Sequence, residues 1–569
     1  MMRLLQFKKT GILAGACILS LAFANSFQAQ NLTWAKSLGG ASNDYIEAIT
    51  VDASGNVYTT GKFDGIADLD PGVSTFSLTS TGSSDIFVSK LDVNGNFVWA
   101  KQIGGSGNEF ARSIKVDAIG NVYLAGSFDG TVDFNPGSGT FNLTSPSGYD
   151  VFVSKWDANG DFVWAKQMGG TGNQVAPAMT NDAAGNIYIT GYFGGTADFD
   201  PGVATFTLTA IGANDIFISK LDANGDFVWA KNMGSGASAS LNANCITTDA
   251  SGNVCIAGYF GGTLDFDPSA ATYTLIAMGG STDMYVSKLD ANGIFMWAKQ
   301  IGGMGNDAPE GIAIDASGNI YTTGSYVSTS DFDPGVSTYT LTPSGGTDIF
   351  VSKLDASGNF VFAKSIGASG YEEVYDITLD ASGNIYTTGY FEGTVDFDPG
   401  VGATSLVAIG TSDIFINKLD VSGDFVWAKN VGNSTVFSYG YATTSDAVGN
   451  IYTSGLYSGT TDFDPNAGIF NLTAQGNNDV FILKLNSSNV GIAESYKKTN
   501  TILYPNPASS LLTIKTDEEI QTLSIYNTLG TLVQTETEHT FSVKELSSGI
   551  YLLQIKTVRG TKTIRFIKE

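Results

Sequence analysis

The tripeptide Trp-Ala-Lys recurs at a nearly constant interval, and this periodicity limits the folds open to the 569-residue chain more than any other feature. The interval is 65 residues, except for 68 between Trp229 and Trp297. The chain therefore contains seven copies of one structural unit. Their tripeptides begin at Trp34, Trp99, Trp164, Trp229, Trp297, Phe362 (in place of tryptophan) and Trp427.

Each copy carries the residue pattern of four β-strands, which we label A to D. In the second copy these are residues 111–116, 122–128, 150–157 and 162–166, with alternating apolar residues and turn-forming Asp, Asn and Gly between A and B and between C and D. One such sheet cannot bury both of its faces alone. The repeated four-stranded unit therefore predicts an all-β fold, a seven-bladed β-propeller.

The two ends of the repeat segment are complementary. The seventh copy stops after its third strand, residues 479–486, whereas residues 31–36 match strand D with no copy before them. We therefore expect the N-terminal strand to serve as strand D of the last blade and close the ring. Closure removes the open sheet edges that invite aggregation, and it assigns residues 31–490 to the propeller.

The residues before and after the repeats differ in composition from them. Residues 1–30 predict a signal peptide, with a basic start and an apolar run too short to span a bilayer, and no other segment could cross a membrane. Residues 491–501 form a polar linker. Residues 502–569 contain short strands at 511–514, 522–526, 550–555 and 562–567, which predict a small β-sandwich.

Three segments of the repeat resemble the β-propeller repeats of secreted Bacteroidetes proteins: Asp-Ala-Ser-Gly-Asn (52–56), Asp-Ile-Phe-Val-Ser-Lys-Leu-Asp (85–92) and Asp-Phe-Asp-Pro-Gly (198–202). The resemblance covers residues 31–486. It implies the fold and carries over no catalytic residue, because that family shares none.

The C-terminal segment resembles the sorting domain of the type IX secretion system. The resemblance is carried by Tyr-Pro-Asn-Pro-Ala (504–508), Ile-Tyr-Asn (525–527) before Gly530, and Gly-Ile-Tyr (549–551) after Leu546. It implies that the secretion machinery is a partner and that the protein is secreted or held at the outer cell surface. Removal of the signal peptide and of the C-terminal domain would accompany export.

Charge and the scarcity of histidine exclude several functions. The net charge of −26 is concentrated in the repeats, which disfavours nucleic acid and anionic lipid and favours cations or basic partners. The one histidine, His539, lies outside the repeats, so no histidine-based triad or zinc site can form there. Most aspartates recur in every copy, as expected of turn residues rather than of a catalytic pair.

Asp-x-Asp pairs after strand B are candidate calcium ligands, because two carboxylates beside free carbonyls suit a hard cation. The alternative is a Pro-Gly turn in which the aspartates bond the backbone. The second copy has Asp133 and Asn135 instead of a pair. The paired residues are Asp68, Asp70, Asp198, Asp200, Asp265, Asp267, Asp331, Asp333, Asp396, Asp398, Asp462 and Asp464. No other cofactor is predicted.

One position of strand A, five residues before the first turn aspartate, varies in residue type between copies. Strand A of a propeller runs beside the axis, so these residues should ring one mouth of the central channel, where we also expect Asp44, Glu109, Asp307, Glu372, Glu373 and Tyr439. We predict an acidic and aromatic site for a sugar or a basic peptide. Its ligand-binding residues are Glu47, Arg112, Asn244, Glu310, Tyr375 and Tyr441, with Pro177 at the seventh position.

We interpret the chain as a secreted or cell-surface binding or scaffolding module for glycan or protein ligands, and not as an enzyme. Two alternatives stay open: a carbohydrate-active hydrolase or lyase that uses carboxylates at the channel mouth, and a purely structural surface component. Cys245 and Cys255 flank one predicted turn, and either a cross-strand disulfide or two buried thiols fits them.

Overall fold

The computed structural model describes residues 30–234, 240–433, 437–486, 502–516, 520–527, 532–557 and 560–569. They belong to two compact units, 1–489 and 490–569, and every regular element in these ranges is a β-strand. No helix in the described ranges has the length and apolar character that a bilayer crossing requires. The predicted signal peptide up to residue 29 and the predicted linker at 491–501 lie outside the described residues.

The strands of the first unit are short and numerous. In chain order they are β1 (Leu32–Gly40), β2 (Asp44–Val51), β3 (Val57–Phe63), β4 (Ile66–Asp68), β5 (Ser77–Thr79), β6 (Asp85–Leu91), β7 (Phe97–Gly105), β8 (Glu109–Val116), β9 (Val122–Phe128), β10 (Thr131–Asp133), β11 (Asn142–Thr144), β12 (Asp150–Trp156), β13 (Phe162–Gly170), β14 (Gln174–Asn181), β15 (Ile187–Phe193), β16 (Thr196–Asp198), β17 (Thr207–Thr209), β18 (Asp215–Leu221), β19 (Phe227–Met233), β20 (Leu241–Thr248), β21 (Val254–Gly261), β22 (Thr263–Asp265), β23 (Thr274–Ile276), β24 (Thr282–Leu289), β25 (Phe295–Gly303), β26 (Asp307–Ile314), β27 (Ile320–Tyr326), β28 (Ser330–Asp331), β29 (Thr340–Leu341), β30 (Asp348–Leu354), β31 (Phe360–Ile366), β32 (Glu372–Leu379), β33 (Ile385–Phe391), β34 (Thr394–Asp396), β35 (Ser405–Val407), β36 (Asp413–Leu419), β37 (Phe425–Val431), β38 (Ser438–Ser445), β39 (Ile451–Tyr457), β40 (Thr460–Asp462), β41 (Asn471–Thr473) and β42 (Asp479–Leu485).

Each repeat forms an antiparallel sheet with its strands in the order A-B-C-D, for example β8-β9-β12-β13 in the second repeat. The A strands contact one another in succession from β2 through β8, β14, β20, β26 and β32 to β38, and β38 also contacts β2. Strands B and C are buried on both faces, and all seven residues of β9 are buried, because neighbouring sheets cover them.

The N-terminal strand supplies the fourth strand of the last repeat's sheet, in the order β38-β39-β42-β1. β1 lies antiparallel to β42, with Leu38 opposite Val480 and Lys36 opposite Ile482. Beyond the strand, the amide N–H of Asn486 donates to the carbonyl of Asn31 at 3.1 Å. The pairing fills the place left by the missing D strand of the seventh repeat.

The Trp-Ala-Lys tripeptide joins adjacent repeats. The indole N–H of Trp99 donates to the carbonyl of Ala158 in the next repeat at 3.4 Å, and Lys90 Nζ donates to the same oxygen at 3.1 Å. Trp99 also meets the ring of Tyr58 edge-on, with the ring centroids 6.2 Å apart. The tryptophan position thus serves packing between repeats.

A short hairpin between strands B and C was not predicted from the sequence. In the second repeat it consists of β10 and β11, and β10 pairs with strand D of the preceding repeat, where Val132 lies opposite Gly105. Strand D therefore extends to Gly105 in β7, beyond its predicted end, because it has a partner there.

The C-terminal unit contains two antiparallel sheets around one core. The sheets are ordered β43-β44-β47 and β46-β45-β48-β49, and their buried side chains, Leu512 and Leu523 among them, form a single cluster. The strands are β43 (Ile502–Tyr504), β44 (Leu511–Lys515), β45 (Ile520–Asn527), β46 (Leu532–Glu536), β47 (Thr540–Ser542), β48 (Gly549–Thr557) and β49 (Gly560–Lys568).

The Pro-Asn-Pro-Ala segment holds the last strand of this unit. Asn506 Oδ1 accepts the backbone N–H of Ile567 at 2.9 Å, and Asn506 Nδ2 donates to the carbonyl of Arg565 at 3.3 Å. The N–H of Ala508 donates to the carbonyl of Ile567 at 2.8 Å. The motif that carries the sorting-domain resemblance therefore has a structural role.

Candidate functional site

Each A strand contains a β-bulge, and the extra residue at the bulge belongs to the position that varies between repeats. In β8, Ala111 pairs with Gly126 and Ser113 pairs with Ala125, so Arg112 has no partner across the sheet. A bulge re-aims the side chain that it carries. The other bulge residues are Glu47, Asn244, Glu310, Tyr375 and Tyr441, and in β14 the irregularity spans Val175 to Ala178 and includes Pro177.

All of these residues line one cavity of about 690 Å³, to which each of the seven A strands contributes. The structure thus brings together the six side chains that the sequence analysis proposed as ligand-binding, although they are spread over almost 400 residues of chain. The volume is in the range that small-molecule sites occupy. Their role in binding stays a prediction.

The charged residues of the cavity include two compensated pairs. Arg112 Nη1 lies 3.1 Å from Glu47 Oε2. Lys115 and Asp376 each favour the charged form of the other, although burial lowers the pKa of Lys115 and raises that of Asp376 to about 6. Both oxygens of Asp376 also accept backbone N–H groups, from Ile377 and Thr443, each at 2.8 Å.

Glu310 is the remaining charged residue of the cavity lining. Its carboxylate has neither a hydrogen bond nor an ion pair to any residue in the described ranges. The Glu310 side chain is exposed to the solvent in the cavity, and the burial that its carboxyl group experiences comes from the protein atoms that line the cavity around it. Burial, with the charge of Glu373 adding to its effect, raises the pKa of Glu310 to about 7.

Tyrosine rings from the sixth and seventh repeats form what we call the aromatic wall: Tyr375, Tyr390, Tyr439 and Tyr441. Tyr375 and Tyr441 line the cavity with their ring centroids 4.9 Å apart. Tyr439 lies 4.7 Å from Tyr390 and continues the wall beyond the cavity lining. The hydroxyl of Tyr375 donates to Glu373 Oε2 at 2.8 Å, which fixes the ring orientation.

Side chains from the fourth and fifth repeats form the polar wall: Asn242, Tyr259 and Glu310, all in the cavity lining. Asn242 Oδ1 is buried and finds no hydrogen-bond partner among the described residues. Asn244 is already engaged, since its Nδ2 donates to the carbonyl of Pro309 at 2.8 Å. The polar wall therefore offers the Glu310 carboxylate and Asn242 Oδ1 as acceptors, together with the Tyr259 hydroxyl, which can donate or accept, and the aromatic wall offers ring faces.

Sequence reasoning missed Lys115, Asp376, Asn242 and Tyr259. A signal for Lys115 was available: six of the seven repeats have threonine or alanine three residues after the bulge, and only the second has a charge there. Asp376 stands where the other repeats carry Ala, Ser, Cys or Gly. A comparison of every A-strand position between repeats would have found both.

The first residues of the A strands do not lie where the sequence analysis expected them. Asp44, Glu109, Asp307 and Glu372 were expected at the channel mouth, but they are at most 2% exposed and are absent from the cavity lining. Each faces the first aspartate of strand C of the preceding repeat, as Glu109 faces Asp85. The prediction for these four residues was wrong because the adjacent sheet covers the start of strand A.

The Asp-x-Asp pairs bond the backbone of the hairpin that carries them. Asp68 Oδ1 accepts the N–H of Asp70 at 3.1 Å and that of Phe76 at 2.8 Å, and Asp70 Oδ1 accepts the N–H of Gly72 at 2.8 Å. The described residues contain no group of three or more acidic, histidine or cysteine side chains placed to hold a metal ion. The geometry explains the pairs as turn residues, and calcium binding stays a prediction that a melting curve with and without chelator tests.

The two cysteines of the repeats are buried free thiols. Cys245 lies opposite Ala257 and Cys255 opposite Thr247, so the two are not cross-strand partners. Of the two interpretations left open by the sequence, the structure agrees with two buried thiols and not with a disulfide.

Two family models match the chain. The model described as a secretion system C-terminal sorting domain matches residues 502–569, and the model described as a β-propeller repeat matches residues 33–63 and 297–332. The chain carries SBBP β-propeller repeats and a type IX sorting domain. The sorting domain implies the type IX secretion machinery as a partner, and export to the cell surface or the medium.

Two curated proteins resemble the propeller protein over 71% of its length, each at 24% identity. One is the WD repeat-containing protein L264 of Acanthamoeba polyphaga mimivirus, and the other is the regulatory protein FlaEY of Caulobacter vibrioides. The matches span only 34% and 42% of those two proteins.

The solved structures that resemble the propeller protein include a WD40 domain. The Pan2 WD40 domain of Neurospora crassa has 10% identity and a TM-score of 0.39, covering 78% of this chain and 89% of that one. Sqt1 of Chaetomium thermophilum has 10% identity and a TM-score of 0.38, covering 80% and 99%. Likenesses this distant carry no argument about function.

Proposed function

We propose that the protein is a secreted or cell-surface binding and scaffolding module, and not an enzyme, whose ligand is a glycan or a protein. Its proposed scaffold is a closed, seven-bladed propeller in which β1 completes the last blade. The C-terminal unit directs export and is then removed, and the signal peptide is cleaved. The continuous contacts from β2 to β38 and back to β2 support the ring.

The observation that carries this proposal is the convergence of the bulge residues on one cavity. Positions free of cross-strand pairing can vary without disturbing the sheets, and here they supply aromatic faces and carboxylates to a single space. Aromatic faces stack on sugar rings, and acidic or amide acceptors bind hydroxyl and amino groups.

The test is a screen of the full-length protein against glycans and surface proteins, followed by variants of the aromatic wall. Tyr375→Ala combined with Tyr441→Ala should weaken binding of an identified ligand at least about tenfold, the cost of losing one or two stacking contacts. Phe206→Ala, which removes a half-exposed ring from an outer hairpin, is the matched control. Unchanged affinity in the double variant would contradict the site.

A carbohydrate-active hydrolase or lyase is the second candidate, and Glu310 favours it. A carboxyl group whose pKa lies near 7 suits a general acid. Its potential partner Asp376 is less suitable, because backbone N–H groups occupy both of its oxygens. Turnover of a glycan that is lost in Glu310→Gln would favour the enzyme, whereas binding without turnover favours the module.

A further inference from the structure

The balance of charges in the cavity points to the chemical class of its ligand. Five charged residues line the cavity: Glu47, Arg112, Lys115, Glu310 and Asp376. Arg112 forms an ion pair with Glu47, and Lys115 and Asp376 each favour the charged form of the other. Glu310 is left as the carboxyl group of the lining with no opposite charge beside it among the described residues.

Among the described residues, no cation is found beside Glu310. Glu373 on β32 acts on it as a like charge, and Tyr259 on β21 and Cys245 on β20 lie within electrostatic reach. Asn242 Oδ1 in the same wall lacks a donor. Hydrogen-bond donors on a ligand would satisfy Glu310 and Asn242 Oδ1, and a positive charge beside the Glu310 carboxylate is favoured over a neutral group.

The aromatic wall offers a cationic group a second favourable contact, the faces of tyrosine rings. Tyrosine faces attract ammonium and guanidinium ions, and the attraction grows when the site is shielded from water. The chain already makes such contacts elsewhere, as Lys90 Nζ lies 4.8 Å from the ring centroid of Tyr58. The strongly negative repeats would concentrate cations near the mouth of the cavity.

We propose that the cavity binds an alkylammonium or guanidinium group, seated on Glu310 between the polar wall and the aromatic wall. This rests on the proposed function and makes it more specific, since it requires a positive charge on the glycan or protein ligand. The group can belong to an amino sugar or to a basic side chain of a protein.

The test uses ligand pairs in which N-acetylation of the amines removes the positive charge, with the full-length protein. The pairs are glucosamine hexamer against N-acetylglucosamine hexamer, and hexalysine against its fully N-acetylated form, measured by calorimetry at pH 7. The charged member of at least one pair should bind about tenfold or more tightly than its neutral partner. Which pair responds identifies the source of the cationic group.

Glu310→Gln should abolish the preference for charge, whereas Asp226→Asn, a change at an exposed turn carboxylate, should leave it intact. The comparison of charged and neutral ligands on the unsubstituted protein tests the inference even if the Glu310→Gln variant fails to fold. Because Glu310 is partly protonated at pH 7, binding of a cation beside it should release protons, and the binding heat should then depend on the ionisation enthalpy of the buffer. For the same reason, hexalysine should bind more tightly as the pH rises from 6 to 8.

Equal affinity for both members of each pair, or a preference that survives in Glu310→Gln, would overturn the inference. If neutral sugars alone bind and the Tyr375 and Tyr441 variants abolish that binding, the inference fails and the proposed function stands. If the screen finds a ligand whose affinity no cavity variant changes, both fail.

Discussion

The aspartate at the start of each A–B turn accepts hydrogen bonds from several groups of the turn and, in most repeats, of the strand that follows it. Asp182 Oδ1 accepts the N–H groups of Ala184 and Asn186, both at 2.9 Å, and Oδ2 accepts Asn186 Nδ2 at 2.7 Å and the Tyr188 hydroxyl at 3.0 Å. Partial burial opposes ionisation, but these hydrogen bonds outweigh it and lower the pKa of Asp182.

Asp182→Ala should therefore lower the free energy of unfolding by at least about 2 kcal/mol at pH 7, because several donors lose a charged acceptor. Since the folded pKa is depressed, this stabilisation is present above the ordinary aspartate pKa of about 4 and is lost as pH falls through the folded value. Denaturant unfolding at pH 7 and pH 3 measures it. Asp226→Ala, at an exposed ion pair, should change stability by less than about 0.5 kcal/mol.

Glu109 has the opposite pH dependence. Both of its oxygens are buried without a hydrogen-bond partner in the described ranges, and burial, together with Asp85 and Asp129, raises its pKa to about 8. Its ionisation destabilises the fold, so stability falls as pH rises from about 4.5 to 8, by up to about 1.4 kcal/mol per pH unit for one proton.

Glu109→Gln should flatten that slope and raise the melting temperature at pH 9. The third repeat offers the reciprocal experiment, because Gln174 occupies the same position of its A strand. Gln174→Glu should steepen the decline of melting temperature between pH 5 and pH 9. A melting temperature of Glu109→Gln that follows the parent at every pH would contradict the assignment.

At the scale of the strand, a glycine at the end of strand D makes room for the strand C aspartate. A Cβ on Gly104 would lie 1.9 Å from Asp85 Oδ2, and the same crowding recurs at Gly169 and Gly234 with Asp150 and Asp215. Gly104→Ala should cost about 2 kcal/mol or more, by overpacking and by displacing a hydrogen-bonded carboxylate. Gly261→Ala, where the nearest atoms are 3.6 Å away, is the control, and denaturant melts compare the two.

The strands themselves were largely predictable. Alternation and Asx-Gly turns located strands A to C of the second repeat to within a few residues, because each of those strands obeys a local pattern. The hairpin β10–β11 was not found, since three-residue strands carry too few positions to show a period. The D strands run past their predicted ends for a related reason: pairing with that hairpin is a tertiary effect.

The candidate site was predictable only in part, because local patterns place a residue along its strand but do not show which other elements cover it. The variable position of strand A could be counted from the turn aspartate, so Glu310 and Tyr441 were placed in the ring without a structure. The sheet that covers Glu109 belongs to the preceding repeat and carries Asp85, which lies 24 residues earlier in the chain. No local pattern contains that information.

At the scale of the whole molecule, the first unit depends on a strand drawn from the opposite end of its chain. Deleting residues 31–40 removes β1 and exposes the edge of β42, a strand of seven buried residues. We expect the deleted protein to aggregate or to lose its cooperative thermal transition, because an open apolar edge recruits other chains. Adding a synthetic peptide of residues 31–40 should restore the transition in calorimetry.

Truncation after residue 501 is the matched control for that deletion. It removes the C-terminal unit, which has its own core, and should leave the melting temperature of the first unit within about 2 °C of the parent. A loss of cooperativity as large as that of the 31–40 deletion would contradict the independence of the two units.

The bulge in every A strand lets one residue of each repeat change without changing the sheet. Since the bulged residue has no cross-strand partner, replacing Arg112 or Asn244 should leave strand register intact while it alters the chemistry of the cavity. Seven such positions, one from each repeat, line the same cavity. Randomising them together, with the rest of the chain constant, would be a direct route to receptors of new specificity.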